Sequence, residues 1–324
     1  MRNFIRMCGV AAAVFGGTLL AGPAYAAYPE QAIKLVIGFP PGGGGDLYGR
    51  TMANELAKVI GQPVIVENKA GAGGNIAAEV VARSRPDGYT LLLAMSGNMG
   101  SAPAVRDKLA YKVPDDFTAI SQLVETPFGL MVSASSPIKT IQDYLLAARR
   151  GGLTYASTGT GGASQIVMEM VKQQAKLDVL HIPYKGSGPV LTDLMGGQVD
   201  SFFAPYTPLM GQITSGKIRL LAVSSEKRIA APNLADIPTL REAGIDVAMA
   251  QWYGLAGPAG MPQEVVDAIA QAVKKALRQP AVLAVYRADG AQEADLSGTA
   301  FRDFIVRDAA NYKRAVEAGN LKAE

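Results

Sequence analysis

The chain is predicted to be an α/β protein of two lobes, each a mixed sheet flanked by helices. Three observations lead there. Short apolar, strand-like runs alternate with helical patterns along nearly the whole chain. Clusters of its 36 glycines fall between those runs, where loops would lie. The length, 324 residues, exceeds what one hydrophobic core usually serves. Such alternation argues a parallel or mixed sheet covered on both faces.

The first strand-like run, Ile33 to Phe39, enters Pro40-Pro41-Gly42-Gly43-Gly44-Gly45. Asp46 then heads a helix from Leu47 to Ile60, whose Met52, Leu56, Val59 and Ile60 share one face. Strand, glycine loop and helix recur as Val64 to Val66, Asn68 to Gly74 and a helix opened by Asn75. Thr90 to Ala94 leads into Ser96-Gly97-Asn98. A second set starts near Phe128, with strands over 128–132, 154–156, 179–182, 200–203 and 219–223 and helices over 140–150, 164–174 and 189–195. Trp252 to Ala256 reads as a strand crossing back, before long helical patterns over 262–278 and 299–317, with Pro262 suited to a first-turn position. The expected division is a leader over 1–26, a first lobe of 27–126 plus 250–324, and a second lobe of 127–249.

The leader has the marks of a secretory signal peptide. Arg2 and Arg6 precede an apolar run from Cys8 to Leu20, and Ala24-Tyr25-Ala26 supplies small residues at the cleavage spacing. The run is short for a membrane span, and Ile5-Arg6-Met7 before Cys8 is no lipid-attachment motif. Cleavage after Ala26 removes the only cysteine, so the exported protein has no thiol or disulfide. It also removes two of 31 basic residues, leaving 29 against 28 acidic ones and a net charge of +1. No basic block or aromatic-basic stripe points to nucleic acid.

Four segments place glycines and small polar residues at a strand-to-helix passage: Gly42 to Asp46, Gly71 to Asn75, Gly159 to Ser164, and Gly186-Ser187. The first N–H groups of a helix have no intrahelical partner and carry partial positive charge, so anions collect there. In open α/β sheets such loops line the carboxyl edge of the strands, where ligands bind. Tyr184 is a candidate cleft-lining ring and Lys185 a candidate cation. The plainer roles are tight turns for the glycines and helix caps for Asp46 and Asn75.

Other chemistries are poorly supported. Gly45 is followed by Asp46, where a nucleotide phosphate loop needs lysine, and Leu47 and Ile76 stand where the dinucleotide fingerprint wants its last glycine. No serine sits in a Gly-x-Ser-x-Gly elbow, and the single histidine, His181, builds no His-rich metal site. Apolar flanks make His181 a strand-end packing residue. An exported enzyme using Asp46 or Glu169 as acid or base is the remaining catalytic alternative; no catalytic residue, metal or cofactor is expected.

The residues resemble a known family, the extracytoplasmic solute receptors of tripartite tricarboxylate transporters, or Bug proteins. The segments that carry the resemblance include Gly38-Phe39-Pro40-Pro41-Gly42-Gly43 with Asp46, Asn68-Lys69-x-Gly71-Ala72-Gly73-Gly74, Pro86-Asp87-Gly88-Tyr89-Thr90, His181-Ile182-Pro183-Tyr184-Lys185-Gly186, Ile237-Pro238-Thr239 and Trp252-Tyr253-Gly254. They span the mature chain. Membership implies a type II-like periplasmic binding protein, monomeric, that closes on a small organic anion in the interdomain cleft. It implies delivery to membrane permease subunits or, alternatively, signalling to a sensor kinase of a two-component system. The ligand-binding role carries over to Phe39, Gly42, Gly43, Gly44 and Asp46; to Gly71, Ala72, Gly73 and Asn75; to Ser96 and Asn98; and to Thr158, Gly159, Thr160, Ser164, Tyr184 and Lys185. Gln165 and Ala204 depart from the histidine and the acidic or amide residue of many relatives. Without an acceptor at Ala204 an amino-acid ammonium lacks a partner, which favours a dicarboxylate or an aromatic carboxylate.

Overall fold

The computed structural model describes residues 28–42, 44–106, 108–184, 186–229, 231 and 233–319. The expected leader, Gly43 and Lys185 lie outside them. The first half runs β1 (Ile33–Ile37), α1 (Gly44–Ile60), β2 (Val64–Asn68), α2 (Asn75–Ala82) and β3 (Thr90–Met95). A π-helical turn, Ser96–Ser101, continues into the short α3 (Ala102–Val105). Then come β4 (Phe117–Ser133), α4 (Ile141–Arg149), β5 (Leu153–Ser157), α5 (Ala163–Ala175), β6 (Val179–Pro183), α6 (Ser187–Met195) and β7 (Ser201–Pro205). A 3-10 turn, Thr207–Leu209, leads to α7 (Met210–Thr214), and β8 (Ile218–Val223), β9 (Ala250–Pro258), α8 (Gln263–Ala276), α9 (Pro280–Asp289), β10 (Gln292–Glu293) and α10 (Gly298–Gly319) complete the fold.

The strands run in the order β2-β1-β3-β9-β4-β7-β5-β6, with β10 and β8 both paired to β4. Both halves repeat one plan. A first strand lies between the second and third, parallel to both (β1 between β2 and β3, β5 between β6 and β7), and an antiparallel strand follows. The carboxyl ends of β1, β2 and β3, and of β5, β6 and β7, therefore carry the glycine and small-polar loops, on the edge where open sheets bind ligands. Apolar clusters fill both faces of each half: Leu35 with Met52 and Val36 with Ala78 in the first, Tyr155 with Val167 and Ala156 with Val190 in the second.

β4 joins the halves, and here the expectation of a strand starting at Phe128 needs correction. β4 is continuous over 17 residues. Up to Pro127, which pairs with Ala250, it is antiparallel to β9; from Phe128, which pairs with Pro205, it pairs with β7 and β8. The C-terminal helix also differs from its expected place in the first lobe alone. Phe301 and Ile305 of α10 pack with Trp252 in the first half, whereas Tyr312, Ala315 and Val316 pack in the cluster of Val167 and Val171 in the second. Pro262 stands just before the first turn of α8, with φ −58°, one position ahead of the expectation.

Candidate functional site

The loop after β1 is held against its neighbours by backbone proximity. A Cβ on Gly38 would sit 2.5 Å from Cα of Gly74, so these loops can touch because Gly38 lacks a side chain. Gly71 to Gly74 all have positive φ, including Ala72 at 49°, a conformation disfavoured for residues with side chains. Beside them, a Cβ on Gly74 would lie 3.3 Å from the Phe39 ring and 3.6 Å from Asn98 Nδ2. Phe39, Gly71, Ala72, Gly73, Ser96 and Asn98, expected from separate segments, thus come together at the ends of β1, β2 and β3.

Asp46 has a different role from a ligand contact or a helix head. It is the third residue of α1, almost buried, and its Oδ2 accepts the Gly42 N–H at 3.1 Å. Its Oδ1 accepts Arg50 Nη2 at 2.7 Å and Asn68 Nδ2 at 3.0 Å, while Arg50 Nε reaches Oδ2 at 3.3 Å. Burial by itself would raise the carboxyl pKa, but these hydrogen bonds outweigh it and hold it below the usual range. Asn68 also donates to Phe39 O at 2.9 Å. Asp46 is therefore a brace for the loop. Asn75 is likewise no cap: Gly74 occupies the N-cap position, and the Asn75 carboxamide oxygen accepts the Tyr111 hydroxyl at 2.7 Å in a buried contact.

Three polar groups at this end lack hydrogen-bond partners. Asn98 Oδ1 accepts Met95 N–H at 2.9 Å, but its buried Nδ2 has none. The Ser96 and Tyr312 hydroxyls face each other without completing a hydrogen bond. Unpartnered buried donors are costly, and an acceptor entering this cluster would satisfy them.

In the second half, α5 packs against the π-helical turn that bears Ser96 and Asn98. This brings the loop of Thr158, Gly159 and Thr160 toward the first-half cluster. Several of its expected donors are already engaged. Gly159 N–H reaches Ser157 Oγ at 3.3 Å, Gly161 N–H donates to Gln165 Oε1 at 2.6 Å, and Thr158 N–H reaches Ser164 Oγ at 3.4 Å. The Tyr184 hydroxyl donates to Asp193 at 2.6 Å, a bond that pushes its pKa up to about 12, so its proton is engaged and not available to a carboxylate ligand. Ala204 is a further correction. It pairs with Gly129 and lies in the apolar cluster with Phe202 and Tyr206, so its missing acceptor carries no information about an ammonium.

His181 forms a local network that spacing alone did not reveal. Its ring stacks on Tyr155 at 4.8 Å, Nε2 lies 2.7 Å from Ser157 Oγ, and Nδ1 lies 3.1 Å from Gln165 Nε2. Because Gln165 Oε1 takes the Gly161 N–H, its Nε2 must be a donor to Nδ1. A neutral imidazole then carries its proton on Nε2 and donates to Ser157, the reverse of a base activating a nucleophile. Burial, reinforced by the charge of Lys172 against the opposing Glu169, lowers the His181 pKa and favours this neutral form. Among the described residues no group of three or more His, Cys, Asp or Glu can hold a metal ion, and no helix is long and apolar enough to cross a membrane.

Known proteins place this geometry. The family model described as tripartite tricarboxylate transporter family receptor matches residues 48–321. Protein BugT of Bordetella pertussis is 31% identical over 328 residues, covering 98% of this chain and 96% of its own. An R. palustris protein solved with adipate aligns with TM-score 0.84 at 28% identity, covering 91% of this chain and 99% of that one. MatC from Rhodopseudomonas palustris, solved with bound malate, aligns with TM-score 0.78 at 30% identity, covering 89% and 100%. With the repeated two-lobed sheet and glycine loops gathered at the carboxyl ends of its strands, the chain belongs to the tripartite tricarboxylate transporter receptor family, whose members are periplasmic solute-binding receptors.

Proposed function

We propose that this protein captures a small carboxylate, an aliphatic dicarboxylate or an aromatic carboxylate, between its lobes and hands it unchanged to the permease subunits of a tripartite tricarboxylate-type transporter. The observation that carries the reading is the convergence of three first-lobe loops around the unpartnered Asn98 amide. Phe39, Gly71 to Gly73, Ser96 and Asn98 form the receiving wall, and Thr158 to Thr160 with the Tyr184 ring oppose it. Asp46, Asn68 and Gln165 hold the loops in shape. Adipate and malate in two similar proteins, both dicarboxylates, support the ligand class. The leader directs export, and the monomeric receptor closes about the segments where β4 passes Pro127 and β9 begins at Ala250, which separate 27–126 and most of 250–324 from 127–249. The inverted wiring of Ser157 and His181 supports capture without hydrolysis.

The test is thermal denaturation against a panel of mono-, di- and tricarboxylates. A ligand that binds only the folded state at a hundred times its Kd stabilises by about 2.7 kcal/mol, so a true ligand shifts the midpoint by several degrees and is recovered chemically intact. A flat response across the panel, or turnover of the bound compound, refutes the proposal.

A further inference from the structure

Behind the wall that bears Ser96 and Asn98 lies a buried acid that capture itself does not use. α10 packs on the π-helical turn so closely that a Cβ on Gly100 would stand 2.7 Å from Asp308 Oδ2 and 2.8 Å from the Tyr312 ring. Tyr312, one helical turn on, carries its hydroxyl to Ser96. The one hydrogen bond that the Asp308 carboxylate receives among the described residues comes from the Trp252 indole N–H, at 2.7 Å, and no cation acts on it. Asp46 stands in contrast: Gly42, Arg50 and Asn68 all donate to it and keep it ionised, whereas burial with a single neutral donor raises the Asp308 pKa to about 7. Glu125 of β4 is the ionisable group that acts on Asp308 from the sheet, and it repels; the Tyr312 phenol is its counterpart on α10. β9 offers only the neutral Trp252 there, the π-helical turn and α3 carry no ionisable side chain, and α5 meets α10 through Val167 and Val171 while its Glu169 and Lys172 pair with each other.

We propose that capture is linked to proton uptake at Asp308: an anion seated at Ser96 and Asn98 repels an ionised carboxylate behind the same turn, so the receptor grips its guest with Asp308 protonated and loosens it as Asp308 ionises. This linkage rests on the receptor reading above, which seats the anion at that wall. Asn98 and Gly100 are two residues apart in the turn, so the two negative charges would stand close together in a medium that screens poorly, where like charges raise each other's pKa. A guest that raises the carboxyl pKa further binds best where the acid already holds its proton, and its affinity falls as pH rises through the pKa of the free protein. Each unit by which the guest raises that pKa is worth about tenfold in affinity once the free acid is fully ionised.

Calorimetry with succinate, malate, adipate and benzoate tests it between about pH 6.5 and about pH 8.5, where His181, its pKa lowered by burial, is neutral and the ligand carboxylates are ionised. Compounds that bind the wild-type chain are expected to weaken about fivefold or more over that range and to take up protons on binding, seen as a dependence of the heat on the ionisation enthalpy of the buffer. Asp308→Asn keeps an oxygen that can accept the Trp252 N–H and is expected to flatten the profile at the affinity the wild type has at the acid end. Glu125→Gln removes the repelling neighbour and is expected to move the fall in affinity to lower pH, which reads the same linkage should the asparagine variant not fold. In the wild type the fluorescence of Trp252, the single tryptophan, is expected to titrate with Asp308 and to shift to higher pH when the tightest of the four compounds is saturating. Wild-type and Asp308→Asn profiles that agree within about twofold, or binding without proton uptake, overturn the linkage and leave the receptor reading standing. Failure of all four compounds to bind the wild-type chain at any pH overturns both.

Discussion

Where two segments of this chain must touch, glycine sets the distance, and the cost of adding one methyl depends on what it meets. A Cβ on Gly254 in β9 would lie 2.3 Å from the Phe301 ring and 2.9 Å from the Ser121 carbonyl oxygen, neither of which can retreat. One on Gly257 would meet chiefly the Met261 sulfur, on a side chain with rotamers to spare. Gly254→Ala is therefore expected to lower stability by about 1–3 kcal/mol, and Gly257→Ala by distinctly less. Urea midpoints decide it: equal losses would mean that β9 shifts as a unit.

Residue chemistry also explains how much of the site was legible. The places of the loops of 42–46, 71–75 and 159–164 between strand and helix were readable, because glycine clusters punctuate such passages. Their internal hydrogen bonds were not. Asp46 and Asn75 look alike as helix openers in sequence, yet one braces Gly42, Arg50 and Asn68 and the other receives Tyr111 from a segment 36 positions away. Arg50 stands four residues after Asp46, an ion-pair spacing on a helix; that pattern would have exposed the brace. The Ser157, Gln165 and His181 network depends on β5 lying beside β6, and no local pattern encodes it.

At the level of elements, the alternation of strands and helices was readable in most units, and β4 shows why part of it was hidden. Ser121, Gln122 and Thr126 are all buried in this strand, so its first half reads as polar and loop-like although sheet surrounds it. The π-helical turn was hidden similarly, because Ser96-Gly97-Asn98 reads as a loop until α10 is seen packed on it. Gly100 of that turn comes so close to α10 that a Cβ would lie 2.7 Å from Asp308 Oδ2.

Asp308 receives Trp252 Nε1–H at 2.7 Å. Burial raises its pKa to about 7, against the lowering effect of that bond, and Glu125 adds to the rise. Glu125 is itself raised by burial. An acid with a raised folded pKa holds its proton in the native state after the unfolded chain has lost it. Between about pH 4 and about pH 7 the folded protein thus binds more protons, and stability falls as pH rises through that window. The contribution is at most about 4 kcal/mol, from roughly three units at 1.36 kcal/mol each. Asp308→Asn is expected to flatten this part of the pH profile of urea unfolding, leaving the slope due to Glu125. Parallel profiles for the two proteins would show that Asp308 does not titrate there.

Across the whole molecule, one strand and one helix resist independent unfolding of the halves. β4 contributes to both sheet regions, and α10 packs its first half under Trp252 and its second against α5. Trp252 is the single tryptophan, so its fluorescence reports the first half while far-ultraviolet circular dichroism reports both. The two probes are expected to give one coincident urea transition in the intact chain and separate transitions in a chain ending after Asp308. Separate transitions in the intact protein would mean that α10 does not couple the halves.

That same helix has a consequence for affinity. If the lobes close about β4 and β9 as proposed, that rotation must slide or bend a helix whose ends are embedded in different cores. On that proposal α10 opposes the motion like a spring, and its stiffness would weight the open and shut forms before any ligand arrives. Because apparent affinity scales with the share of molecules already competent to bind, core side chains such as Ala315 and Val316 would become tuning positions for a guest they never meet.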